Sequence, residues 1–152
     1  MDKAAPPDAV PAAHRGSRLG LPASGSRSLA PTGLRLGAFV ADAIASALIA
    51  GLFVQIFTPA SATHDLAARL PGSWSVVPFA VDYVFGVVIA DRTLGMYLFG
   101  LRVIRVDRRA AVGLPRAALR TCLLMLLVPA LVWDRDGRGL HDRLADTAVV
   151  RA

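Results

Sequence analysis

The chain contains no glutamate, one lysine and one cysteine. All eleven of its acidic residues are aspartate and sixteen of its seventeen basic residues are arginine, so the Glu/Lys surface that keeps a free-standing helical bundle in solution is missing. With Cys122 alone, an intramolecular disulfide and a cysteine-based zinc site are excluded. No Gly-rich phosphate loop and no G-x-S-x-G nucleophile motif occurs, so neither a cofactor nor a metal is expected and the chain does not read as an enzyme. Residues 1–31 also lack the apolar stretch of a signal peptide, which leaves targeting to the first apolar segment.

What remains is greasy. Of 152 residues, 55% are hydrophobic and 18% charged, with a mean hydropathy of +0.52, a balance that favours an integral membrane protein over a soluble or disordered one. Residues 1–33 hold five of the ten prolines together with Ser, Gly and scattered Arg, and read as a flexible Pro/Ala/Ser-rich cytoplasmic tail. Residues 34–152 then form one membrane domain. The run 36–57 is broken by the polar residues Asp42, Ser46 and Gln55 and gives roughly 33 Å of helix, enough to cross a bilayer core of roughly 30 Å. After a loop ending at Pro71 and Gly72, the run 74–90 gives roughly 26 Å, with Trp74 at an interfacial position. The third apolar stretch, 116–133, carries Arg120 near its start and Pro129 near its end, which leaves roughly 18 Å of apolar helix. It is either a short tilted crossing or a re-entrant helix. Residues 101–106 are β-branched and charged, and could pair with 147–150 if both lie on one side of the membrane. The expected fold is therefore all-α and membrane-integral: a hairpin of two transmembrane helices, a third short transmembrane or re-entrant helix, and a small cytoplasmic β-strand pair.

Basic residues set the orientation. Five Lys/Arg lie in the tail through Arg35 and six in 91–116, against one in the loop 58–73, so the N-terminus and the second basic region are expected in the cytoplasm. The C-terminal segment carries four Arg and modestly favours the same side. The formal net charge of +6 suits anionic lipid headgroups flanking the apolar spans, and no nucleic-acid partner is expected. Two or three short helices cannot enclose a pathway alone, so a homo-oligomer or a membrane partner protein is expected.

Two carboxylates stand inside the apolar runs. Burying Asp42 in a membrane helix costs about 3 kcal/mol on insertion scales, so it should face protein through the small residues Ala38, Ala45 and Ser46, leaving Val40, Ile44, Leu48 and Leu52 to lipid. In an antiparallel hairpin Asp82 falls in nearly the same layer as Asp42. Two acids at close quarters call for a shared proton or an intervening cation, and Arg120 is an available guanidinium. An intramembrane cluster of Asp42, Asp82 and Arg120 is one reading. The other is a protonated or water-bathed Asp82 with Arg120 reaching out to lipid phosphates. Residues 134–137, Asp-Arg-Asp-Gly, lack the rest of a calcium loop and read as a turn, and His141 beside Asp142 reads as a surface or capping residue.

Arg35 opening the first helix, Asp42 within it, Thr93-Leu94-Gly95, the run from Gly100 to Ile104, Arg120, and the run from His141 and Asp142 to Thr147 and Val150 together resemble the RDD family of small bacterial membrane proteins. The similarity extends over about residues 33–151, and residues 18–22 (Arg-Leu-Gly-Leu-Pro) resemble members of actinobacterial type. It implies Arg35, Asp42 and Asp142 as signature residues, Gly95, Gly100, His141 and Thr147 as motif positions, and the bacterial plasma membrane as location. Met96 stands where a basic residue is common, and Asp146 where Gly is usual. The resemblance implies no established activity. Transport of a proton, small cation or other small ligand past the intramembrane Asp and Arg residues is one expectation, and a non-transporting membrane adaptor or assembly subunit the alternative.

Overall fold

A computed structural model describes residues 14–57, 72–107, 111–126 and 138–152. The expectations for residues 1–13, the loop 58–71, Pro129, Trp133 and the turn 134–137 lie outside the described residues. Helix α1 spans Thr32–Phe57, beginning four residues earlier than the apolar run because Pro31 starts it, its carbonyl accepting from the Arg35 N–H at 3.2 Å. Its 26 residues give roughly 39 Å of length. One narrow stripe at four-residue spacing, Ala38, Asp42, Ser46 and Ala50, is buried, and their small size lets other segments approach closely. Val40, Ile44, Leu48 and Leu52 lie exposed on the remaining surface.

Helix α2, Val76–Ala90, follows a single 3₁₀ turn, Gly72–Ser75. Its middle, Asp82–Gly86, is wound as a π turn, a local widening often found at functional sites. Asp91 closes α2 in the left-handed region (φ 57°), and Thr93 caps the five-residue helix α3, Leu94–Leu98, accepting from the Met96 N–H at 3.2 Å. Gly100 (φ 62°) turns the chain into strand β1, Leu101–Arg105. Helix α4, Leu114–Met125, carries Pro115 in its first turn, and helix α5, Leu140–Leu144, precedes strand β2, Thr147–Arg151. Asp146, at the position where the resemblance expects Gly, holds φ 50°, a conformation that Asp tolerates better than most side chains.

The molecule is thus mostly helical, with an antiparallel pair in which Val103 stands opposite Val149. Strand β2 does not alternate: Thr147, Ala148, Val149 and Val150 are all buried, so both faces of the pair need cover. Ala38, Met96, Val112 and Ala117 cover the face bearing Leu101, Val103 and Val149. The other face, Ala148 and Val150, is covered by Leu21 and Leu29. The last part of the expected flexible tail is therefore folded onto the sheet. Residues 27–30 run along β2 with a Leu29–Val150 bridge, and the Ala30 N–H donates to the Val149 carbonyl at 3.0 Å. Local composition suggested flexibility here, whereas the need to bury β2 on both sides decides the outcome.

Candidate functional site

The stripe on α1 delivers Asp42 to the start of α3. Asp42 is 1% exposed, and both of its carboxylate oxygens accept hydrogen bonds. The Thr93 hydroxyl donates to Oδ2 at 2.6 Å and the Gly95 N–H donates to Oδ1. Gly95 is required for this approach: a Cβ there would lie 2.1 Å from the Ala38 carbonyl oxygen. Asp82, at the head of the π turn, accepts from the Leu94 N–H at 3.2 Å through Oδ1. Two carboxylates from two helices thus satisfy successive N–H groups that a helix start leaves open. Asp82 also feels the charge of Asp42.

A second polar group lies towards the sheet. Asp142, 1% exposed, accepts from Arg120 Nε at 2.7 Å, and Arg35 Nη1 stands 3.8 Å from its other oxygen. The Thr147 hydroxyl lies 3.3 Å from Asp142 Oδ1 and His141 Nε2 lies 3.6 Å from the same oxygen. Arg35 also donates through Nη2 to the Val149 carbonyl at 3.0 Å, tying the start of α1 to β2. Burial alone would push the Asp142 carboxyl up, but Arg120, His141 and Arg35 together outweigh it and hold it below the usual carboxylate range.

Tyr83 links the two groups. Its ring is buried on the π turn, the Arg120 guanidinium stands 5.8 Å from the ring centroid, and the phenol feels the charges of both Asp42 and Asp82. Arg120 is itself only 2% exposed. Among the described residues its Nη1 has no hydrogen-bond acceptor, and the Tyr83 ring gives the cation a favourable face.

The structure accordingly brings Asp42 and Asp82 to one helix start, but gives Arg120 to Asp142, with Tyr83 between. Arg35 pairs with Asp142 across 107 positions of sequence (142 − 35) and not with Asp42, seven residues on. His141 is buried beside the Asp142 carboxylate, where a surface residue had been expected. Gly100 serves the turn into β1, and its carbonyl accepts from the Ala152 N–H at 2.8 Å. Sequence reasoning missed Thr93 and Tyr83 as partners. Thr93 was readable as an N-cap from its place before Leu94, whereas the placing of Tyr83 depends on the π turn, which has no sequence signature here. Among the described residues no group of three or more His, Cys, Asp or Glu side chains could hold a metal ion.

A family model described as RDD family matches residues 29–146. No curated protein and no solved structure matches the chain.

Proposed function

The chain belongs to the RDD family, and from that premise we propose that it is a multi-pass membrane protein whose buried charges form a latch. They fasten a spanning hairpin, α1 and α2, to a folded unit on the cytoplasmic face of the bacterial plasma membrane. The observation that carries this reading is the occupancy of Asp42. A carboxylate deep in an apolar helix is expensive, and both of its oxygens are spent on holding α3. The protein then acts as a non-transporting membrane module that presents its sheet unit at the bilayer surface.

Several features support the membrane placement. Helix α1 is long and apolar enough to cross a bilayer, and most of its side chains lie unburied. Phe85 and Ile89 of α2 are exposed as well, and so large an apolar surface suits lipid or a second copy of the chain. Residues 27–30, β1 and β2 share one sheet, so all three lie on one side. Helix α1 leaves that side and α2 returns to it. The third apolar segment starts just after β1 and ends just before α5, and α4 gives only roughly 18 Å over its 12 described residues. A re-entrant course for that segment is the reading that the shared side of β1 and α5 supports, and the basic residues of the sheet side favour the cytoplasm for it.

A second reading, passage of a proton or small cation past Asp42, draws on the closeness of Asp82. Two measurements separate the readings. A reporter fused after Ala152 should be active in the cytoplasm, and periplasmic activity would overturn the topology. Proteoliposomes holding the full chain should show no proton or sodium flux above empty vesicles. Flux that disappears in D42N while the fold is kept would establish the second reading instead.

A further inference from the structure

Between the folded N-terminal segment and β1 lies a cleft of about 410 Å³ that shares no lining residue with the latch. Among the described residues Arg27, Arg102 and Arg105 line it, with Asp91 as the one carboxylate. Three arginines beside one acid in this lining, with Asp107 offsetting Arg105, leave a net positive charge around a partly enclosed space. Arg105 is engaged through Nη2 with Asp107, but its Nε, like that of Arg102, is buried and has no hydrogen-bond acceptor among the described residues. Arg27 adds a second observation: it holds a left-handed backbone (φ 65°) that a non-glycine residue rarely adopts, and its N–H donates to the Arg151 carbonyl at 2.9 Å. This turn beside the cleft is thus pinned to β2.

We infer that this cleft binds a phosphate-bearing anion through Arg27, Arg102 and Arg105. A phosphate offers enough acceptor oxygens for three arginines approaching from two segments, and the planar fork of each guanidinium matches it two bonds at a time. The volume exceeds that of a bare phosphate and falls in the range of small-molecule sites. Leu21 and Val112 supply an apolar wall for whatever the phosphate carries. The shared chemistry is a phosphate ester, supplied either by a lipid headgroup of the adjoining bilayer or by a soluble phosphoester.

The test uses the full chain and pyrophosphate as probe, titrated at constant ionic strength with chloride as the control, while the thermal midpoint is followed. In detergent and in phosphatidylcholine nanodiscs the midpoint should rise saturably with pyrophosphate and not with chloride. In phosphatidylglycerol nanodiscs, loss of that response identifies the lipid headgroup as occupant, and an unchanged response identifies a soluble phosphoester. Both support the site. The charge-keeping variant R102K/R105K and the variant R27Q should each bind pyrophosphate at least tenfold more weakly. If the double variant fails to fold, R27Q decides, because its side chain is exposed. A wild type with no saturable response, or R27Q binding as tightly as wild type, overturns the site. The detergent arm needs no bilayer, so its failure is separate from failure of the membrane reading.

Discussion

Gly95 and Ala38 meet backbone against backbone: a Cβ on Gly95 would stand 2.1 Å from the Ala38 carbonyl oxygen and 2.8 Å from Asp42 Oδ1. Neither neighbour is the far end of a flexible chain, so α3 would have to move off α1. G95A should therefore cost about 3 kcal/mol or more, at or beyond the upper end of ordinary overpacking, and free the Asp42 carboxylate from its donors. Thermal unfolding in detergent checks this, and a midpoint equal to wild type would show that the contact is loose.

The pair Arg120 and Asp142 is buried on both sides. Removing one partner strands the other, and R120Q or D142N alone should each destabilise by about 3 to 5 kcal/mol. The double variant should lose clearly less than the sum of the two, because neither charge is then left alone. Strict additivity would mean that the two charges are not coupled.

The acid limb of stability follows from Asp142, whose carboxyl is held below its ordinary value by Arg120, His141 and Arg35 against the opposing effect of burial. A depressed carboxylate contributes stability that is fully present above its unfolded-state value of about 4. That contribution falls as pH drops through about 4 and is gone below the folded-state value. Unfolding midpoints from pH 7 to pH 3 should drop steeply at the acid end in wild type and more shallowly in D142N. Parallel curves would show that another group governs the acid limb.

Leu29 is 8% exposed and packs with Leu21 over Ala148 and Val150. L29A should cost about 2 to 3 kcal/mol, towards the low end for a buried leucine since the site lies near the surface. Thermal unfolding measures it. No change in midpoint would return residues 14–31 to the status of a loose tail.

The parts of this architecture that sequence displays are those set by a local rule. The apolar run from Leu36 marks α1, the β-branched character of residues 101–106 and 147–150 marks the strand pair, and fixed helix rise puts Asp42 and Asp82 in one layer. The parts it hides depend on partners distant along the chain. Nothing near Leu29 says that it will cover Val150, because the demand comes from β2, whose unbroken burial is itself legible as Thr-Ala-Val-Val. Arg120 reads as a neighbour of the intramembrane acids, yet Asp142 of the short helix 140–144 takes it instead. The π turn at Asp82–Gly86 changes which way Tyr83 and Asp82 point, and helical periodicity has no means of foreseeing it.

The central claim is that Asp42 is a tie between α1 and α3. A double-mutant cycle of D42N with T93V, read as unfolding free energy of the full chain in detergent, tests it most directly. Each single variant should lose about 1 to 3 kcal/mol, with the double variant falling short of the sum by about 1 kcal/mol. Single variants as stable as wild type, or losses that simply add, would contradict the latch.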